Sequence, residues 1–461
     1  MSVAASPPSS RRGPDLGCPL VVGFGVTGRS VVAALVARGH RPVVVEDRPT
    51  DAQRAAAEAL GVELVEAPDE DRLTALVAGA TVLLPSPGVP DRHPVFEQAG
   101  RVGLSTASEF DLAQTWDDRP VVAITGTNGK TTVTTMVADA LDRSGRPAEP
   151  VGNTDVPFVE AIGHPRTEVF VVESSSFRLG HSADFRPDVA AWLNFAPDHL
   201  DAHASLADYE QAKASIWRHL DPGAVVVANI DDPVVARHLS QLTGDDLSIA
   251  TFSIHGPADW SVVELDGRAS LAGPDGPFVA VEELARRQPH DLANALAVAA
   301  IATAAGATIE GVCGTLRSFR GLAHRLEYLG RWHDISWYND SKATVPHATV
   351  AAVGGFESVV LIAGGKSKGL SFEPLRDTVP PVRAVVAIGD AADDVDRIFA
   401  DLVPVTRAGS MLDAIRAARA IARAGDAVLL SPACASFDWY PNYVARGLDF
   451  TELVREEVSA T

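Results

Sequence analysis

The stretch "GTNGKTT", Gly126 to Thr132, constrains this chain more than any other. It follows the apolar run "VVAIT" and precedes "TVTTMVADAL", whose spacing predicts a helix, so strand, glycine loop and helix come in the order of a phosphate-binding loop. Glycines let backbone N–H groups turn inward around phosphate oxygens, and the helix N-terminus adds a favourable field. Lys130 would bring positive charge to the β- and γ-phosphates of ATP, and the Thr131 hydroxyl would reach Mg²⁺. A plain glycine turn beside a solvated lysine would require no such order. Counted from Gly126, the loop has two residues between its glycines where the common G-x-x-x-x-G-K-[ST] form has four, and three if Thr125 takes the first position.

A second glycine pattern, Gly23, Gly25 and Gly28 in "VVGFGVTGRS", has the spacing G-x-G-x-x-G. On its own it fits a dinucleotide site, a site for another nucleotide diphosphate, or a tight strand-to-helix turn that binds nothing. From Leu20 to about Trp116, short apolar runs alternate with Ala-rich segments of helical period, which predicts a parallel sheet wrapped by helices. A fresh strand begins after the polar stretch Asp117 to Arg119. Gly/Asp-punctuated runs from Leu247 to Val281 predict a small β excursion, and a third alternating block holds "SVVLIAGG", "VRAVVAIGD" and "DAVLLSPA".

The expected architecture is therefore α/β in three domains. A disordered tail (1–17) precedes a Rossmann-like domain (18–118), a central P-loop ATPase-like domain (119–321) and a C-terminal Rossmann-like domain (322–461). A formal charge of −21 argues against a nucleic-acid or anionic-membrane surface, so any phosphate must be held by local devices. Cys18, Cys313 and Cys434 are far apart and odd in number, which predicts neither a disulfide framework nor a zinc site and fits a cytoplasmic protein. No window approaches the roughly 18 uninterrupted apolar residues of a membrane span.

Beyond the loop, "ESSSFRLG" sets Glu173 at a strand end, where a carboxylate could hold Mg²⁺. The next segment, "NFAPDHLDAH", offers Asn194, Asp198, His199, Asp201 and His203, and "YEQAKASIW" brings Lys213. The loop form T-G-T-N-G-K-T-T resembles that of Mur ligases and folylpolyglutamate synthases, and the whole succession is similar to the central domain of a Mur ligase. That resemblance implies ATP as co-substrate and two Mg²⁺ ions. It further implies a Lys213 carbamate formed with CO₂, and His199 as a ligand of the second metal. A carbamate supplies anionic oxygens suited to a hard cation, whereas an ammonium would be repelled.

"GLAHRLE", "YNDSKAT", "LIAGGKSKG" and "LLSPACASFDWYPNYVARG" resemble the MurD branch, the ligases that add glutamate to UDP-N-acetylmuramoyl-L-alanine. The likeness runs from about Leu20 to Val454. It implies catalytic roles for Lys130, Glu173, His199, Lys213, Arg325 and Lys342. ATP would meet Gly126, Thr127, Asn128, Gly129, Lys130, Thr131, Thr132, Asn294, Arg325 and Asp340, the last at the ribose. The metals would meet Thr131, Glu173, His199 and carbamylated Lys213. Glutamate would lie against Lys342, Thr344, Lys368, Ser436 and Tyr443. The first glycine turn then grips a UDP-sugar rather than a nicotinamide cofactor, through Gly25, Val26, Thr27, Asp47, Arg48, Ser86, Pro87 and Gly88, with Asn153, Ser175 and Arg178 from the central domain.

Several positions depart from the usual pattern: Thr154-Asp155, Arg178 where Gln is usual, Asp291 near the adenine, and Val345-Pro346 beside the glutamate pocket. As a planar bidentate donor, Arg178 could strengthen the pyrophosphate contact. D-Glutamate is the family default, and the pocket change leaves L-glutamate open. A folylpolyglutamate-synthase-like ligase would share the phosphate loop, and so would a non-catalytic nucleotide switch. The implied chemistry is peptidoglycan-precursor synthesis by a monomer, through an acyl phosphate kept from water by closure of the third domain.

Overall fold

A computed structural model describes residues 13–154, 156–198, 203–243, 246–367 and 370–459. The chain divides into two compact units, Met1–Phe319 and Arg320–Thr461. The mixed α/β architecture expected from the alternating runs is present in both.

The first unit carries two sheets. Strands β1 (Pro19–Val22), β2 (Val43–Glu46), β3 (Glu63–Glu66) and β4 (Val82–Pro85) pair in parallel in the order β3-β2-β1-β4. The larger sheet contains β5 (Val121–Thr125), β6 (Ala148–Gly152), β7 (Val169–Glu173), β8 (Val189–Trp192), β9 (Val225–Asn229), β10 (Ser248–Ser253), β11 (Trp260–Leu265), β12 (Arg268–Gly273) and β13 (Gly276–Ala280). Their order is β13-β12-β11-β10-β9-β8-β5-β7-β6, parallel except at the β11–β12 and β12–β13 pairs, so the small β excursion extends one edge of the main sheet.

Period-two alternation explains how this sheet is buried on both faces. Val122, Ile124, Val169 and Val171 enter a core with the helices Lys130–Arg143, Pro289–Ala304 and Ile309–Ser318. Their neighbours Val121, Ala123, Phe170 and Val172 face the other way, into a core shared with Val21, Phe24, Val31, Leu35 and Phe110. The two sheets of the first unit are therefore joined by one apolar cluster.

Residues 13–17, expected in the tail, are held. The Thr81 hydroxyl donates to Asp15 O at 2.7 Å, and the Cys18 N–H donates to Thr81 Oγ1 at 3.0 Å. His40 Nδ1 lies 3.0 Å from Leu16 O. These long-range contacts carry no signal in a Pro/Ser-rich composition.

The second unit has one six-stranded sheet of β14 (Glu327–Trp332), β15 (Ile335–Asn339), β16 (Val359–Gly364), β17 (Val382–Ile388), β18 (Val405–Ala408) and β19 (Ala427–Leu430). The order is β14-β15-β19-β16-β17-β18, parallel but for the β14–β15 hairpin. "YNDSKAT", "GGK" and "SPACAS" all leave its carboxyl edge, where ligands bind in open parallel sheets. Among the described residues no helix is long and apolar enough to cross a membrane.

Candidate active site

The phosphate loop leaves central strand β5, with β8 and β7 on either side, so three strand ends converge on it. Gly129 takes φ +82, and a Cβ there would stand 2.7 Å from Asn294 Oδ1, so glycine brings the loop against the helix carrying Asn294. Asn194 locks the loop from the β8 side: its Oδ1 accepts the Asn128 N–H at 2.8 Å and its Nδ2 donates to Asn128 O at 3.1 Å. Thr127 Oγ1 lies 3.1 Å from the Tyr209 hydroxyl. Lys130 Nζ donates to Gly126 O at 2.7 Å and to Thr127 O at 2.8 Å, holding its charge over the loop.

Lys213, on the helix Leu206–Ala214, converges on the same carbonyl. Its Nζ donates to Gly126 O at 2.7 Å, and the residue is 1% exposed. Burial, helped by the neighbouring Lys130 charge, pulls the amine down to about 6, against the opposing fields of Asp198 and Glu173. A lysine in this state is neutral at pH 7.

Glu173, 2% exposed at the end of β7, accepts from Asn153 Nδ2 through Oε1 at 2.8 Å. Its Oε2 is buried with no hydrogen-bond partner in the protein, an orphaned carboxyl oxygen beside the loop. The oxygen donors Glu173 and Thr131 suit Mg²⁺, which commonly takes one or two protein carboxylates and completes its shell with phosphates and water. Among the described residues no group of three or more His, Cys, Asp or Glu is placed to hold a metal. His199, Asp201 and Asp155 lie outside the described residues.

At the first glycine turn, Gly23 takes φ +86, and a Cβ on Gly28 would stand 2.0 Å from Gly23 O, so only glycine lets the helix Val26–Ala37 pack so close. Gly25 has nothing within 4 Å of its Cβ position, which leaves that side open to a ligand. Ser86 is turned inward to donate to Gly23 O at 2.6 Å, bracing the turn. Asp47 faces His93 Nε2 at 3.3 Å. A function that sequence reasoning missed belongs to Glu46, whose Oε2 accepts the Phe24 N–H at 2.7 Å and Oε1 the Arg48 N–H at 3.3 Å. A cavity beside the turn is lined by Thr27, Gly28, Ser86, Pro87, Glu109, Phe177 and Arg178.

Arg178 is 6% exposed and largely committed to the protein. Its Nε donates to Glu109, Nη1 to Asn153 Oδ1 at 2.9 Å and Nη2 to Thr27 Oγ1 at 3.0 Å. Arg178 acts as a link: a line of hydrogen bonds runs from Thr27 through Arg178 and Asn153 to Glu173. Ser175 caps the helix Ser176–His181 that presents Arg178. Arg178→Ala should destabilise the protein by roughly 3–5 kcal/mol in chemical denaturation, because it leaves Glu109 buried without its cation. A loss below about 1 kcal/mol would mean that water or another group takes over the pairing.

His203 also bridges the two sheets' domains. Its Nε2 lies 2.9 Å from Ser176 Oγ and its Nδ1 3.1 Å from Asp91 Oδ2, with Phe177 stacked on the ring. Near Asn294, a slot is lined by Thr132, Met136, Arg286, Asp291, Leu316 and Phe319. Asp291 caps its own helix, accepting from Arg286 Nε at 2.8 Å and the Gln288 N–H at 3.2 Å.

In the second unit, Asp340 is 7% exposed and accepts the Ser431 hydroxyl at 2.7 Å and the Leu326 N–H at 3.2 Å. Burial pushes its carboxyl up to about 6. Lys342 Nζ donates to the Tyr443 hydroxyl at 3.0 Å, bringing together two residues expected at the glutamate site. Ser436 is buried, and Arg325 lies close enough to Asp340 for their charges to interact. Val345 and Pro346 open the helix Pro346–Val353 as N-cap and first residue, a position where proline costs no hydrogen bond. Lys368 lies outside the described residues.

Family profiles match three successive parts of the chain: the MurD-like N-terminal domain of Mur ligases at residues 19–108, the Mur ligase middle domain at 124–302, and the Mur ligase glutamate ligase domain at 324–434. The chain is 41% identical to the UDP-N-acetylmuramoylalanine--D-glutamate ligase of Frankia casuarinae, over 95% of this chain and 93% of that one. It is 37% identical to the protein of the same name from Methylococcus capsulatus, over 95% and 94%. Among solved structures, the MurF protein of Acinetobacter baumannii aligns with a TM-score of 0.54 at 18% identity, over 96% of this chain and 92% of that one. The MurC ligase of Thermotoga maritima aligns with a TM-score of 0.53 at 19% identity, over 95% and 99%. These two establish the fold alone. With profiles in succession along the chain and relatives above one-third identity across nearly all of it, the chain belongs to the Mur ligase family, in its MurD branch.

Proposed function

We propose that this protein is the ATP-dependent ligase that joins D-glutamate to UDP-N-acetylmuramoyl-L-alanine in peptidoglycan-precursor synthesis. The observation that carries the reading is near-full-length identity of 41% to a D-glutamate ligase in a chain whose phosphate-loop Lys130 and buried Lys213 meet on one carbonyl, that of Gly126. Domain limits near 118 and 321 go with it, supported by profile matches that fall on either side of both.

The alanine carboxylate attacks the γ-phosphorus, the bond to the bridging oxygen of ADP breaks, and an acyl phosphate forms. The amine of D-glutamate then adds to the acyl carbon, and the tetrahedral intermediate expels phosphate. Lys130 steadies the moving charge and the loop's N–H groups orient the phosphates, so the burden is positioning and electrostatics. Arg325, Lys342 and Asp340 serve the nucleotide, while Lys342, Thr344, Lys368, Ser436 and Tyr443 serve glutamate. Bound Mg²⁺, held by Thr131, Glu173, His199 and carbamylated Lys213, would neutralise the phosphate oxygens. Gly25, Val26 and Thr27 approach the diphosphate of the UDP-sugar, with Asp47 and Arg48 toward the uridine.

A folylpolyglutamate-synthase-like ligase has no use for the complete first sheet and its glycine turn. A nucleotide switch has no use for a buried neutral lysine beside an orphaned carboxyl oxygen. The reading includes a cytoplasmic monomer. Phosphate release from ATP is expected only when UDP-N-acetylmuramoyl-L-alanine and D-glutamate are both present. Release with neither enantiomer of glutamate would overturn the assignment, and release with L-glutamate alone would correct the stereochemistry.

A further inference from the structure

Arg446 is among the most deeply buried large side chains of the chain, at 1% exposure, in the helix Tyr443–Ser459. Its guanidinium stands where three loops meet at the carboxyl edge of the six-stranded sheet. Nε donates to Ser341 Oγ at 2.9 Å and Nη2 to Ser341 O at 2.8 Å, which fixes the loop after β15. Nη1 donates to Ala435 O at 3.2 Å and Nη2 to Cys434 O at 3.1 Å, which fixes the loop after β19. The loop after β16 packs on the same group, since a Cβ on Gly365 would stand 3.2 Å from Nη1. That third loop is tied to the second by Lys366 N–H to Ala435 O at 2.8 Å and the return bond at 3.0 Å. Ser341 Oγ in turn donates to Tyr443 O at 2.8 Å, closing the circuit on the residue that holds Lys342.

Every acceptor in this set is neutral. Among the described residues no carboxylate forms an ion pair with Arg446, and the side chains of Cys434, Asp438 and Tyr440 act on its charge only through space. Burial draws the guanidinium down to about 10, so it remains charged at neutral pH. A buried cation with only carbonyl and hydroxyl partners is costly to the fold. Its charge is offset when an anion binds nearby, and its planar fork suits the joining of several loops better than an ammonium would.

We propose that Arg446 is a positioning residue of the amino-acid pocket: it holds in register the loops bearing Lys342 and Thr344, Lys366, and Ser436, and its charge, hydrogen-bonded only to neutral groups, biases the pocket toward an acidic amino acid. This rests on the ligase reading above.

Steady-state kinetics on the full chain would compare wild type with Arg446→Lys, which keeps the charge and loses the fork. The KM for D-glutamate should rise about tenfold or more, with kcat at saturating glutamate and the KM for the UDP-sugar within about threefold of wild type. Ser341→Ala, a smaller lesion that removes one hydroxyl of the circuit, should raise the same KM about three- to tenfold with an unchanged melting midpoint. It decides the matter if Arg446→Lys fails to fold. Arg446→Gln should narrow the preference for glutamate over glutamine by about tenfold. An unchanged glutamate KM in Ser341→Ala, or an equal rise in the KM for the UDP-sugar, would overturn the proposal. Wild type without glutamate-dependent phosphate release would overturn the ligase reading instead.

Discussion

Lys213→Ala is expected to lower substrate-dependent phosphate release by about 10³-fold, the scale on which a preorganised charge contributes to a transition state. The residue sits 1% exposed with its amine on Gly126 O, and burial pulls it down to about 6. A neutral amine can add to CO₂ and lose a proton, giving a carbamate; an ammonium cannot. The rate of the wild-type protein should therefore fall about tenfold per pH unit below roughly pH 6, where the amine takes up its proton. The same shift bears on stability. Between about 6 and 10.5 the unfolded chain holds a proton at this lysine that the folded chain lacks, so stability rises with pH across that window and the buried amine is a cost at neutrality. Lys213→Met should accordingly unfold at higher denaturant, by roughly 1–3 kcal/mol at pH 7, while losing activity. Gly126 O keeps a donor in that variant, from Lys130. Full activity of Lys213→Ala, with or without added bicarbonate, would remove the carbamate from the mechanism.

Lys130→Ala should be more damaging, with kcat/KM for ATP down by about 10³- to 10⁵-fold, the range measured when a phosphate-directed cation is removed from phosphoryl transfer. Its ammonium already rests on the carbonyls of Gly126 and Thr127, so the loop holds the charge in place before nucleotide arrives. Lys130→Arg should recover little, because a planar fork cannot occupy the site of a compact ammonium between two carbonyls of one tight turn. A loss below tenfold in Lys130→Ala, measured by phosphate release at saturating UDP-sugar and glutamate, would take this residue out of the phosphoryl step.

How much of the site is readable from sequence depends on how local each device is. Lys130, Thr131 and the glycines of both turns are legible because strand, loop and helix are contiguous, and the spacing itself enforces the geometry. Lys213 can be tied to the loop only through a family pattern, since 87 residues separate it from the carbonyl it touches. The partner of Arg178 is hidden for the same reason: nothing near it in sequence announces Glu109, 69 positions away, which its guanidinium meets. Glu46 is eclipsed by its neighbour Asp47 because alternation along a four-residue strand does not say which of two adjacent acids faces the turn. Arg446 has its partners 105 and 11 residues away in loops that are irregular in any periodicity, so only the folded backbone brings them together.

The apolar cluster that joins the two sheets of the first unit limits what recombination could do with this chain. Three domains in series invite exchange of the first between relatives, as if each were a cassette. Here Val21, Phe24 and Leu35 share one interior with Phe170 and Trp192, and Glu109 and Thr27 complete the shell of Arg178. A chimera cut near residue 118 would need both sides of that seam from the same parent. Otherwise it would expose an oily face and strand a buried cation, and viable crossovers should cluster past residue 319 instead.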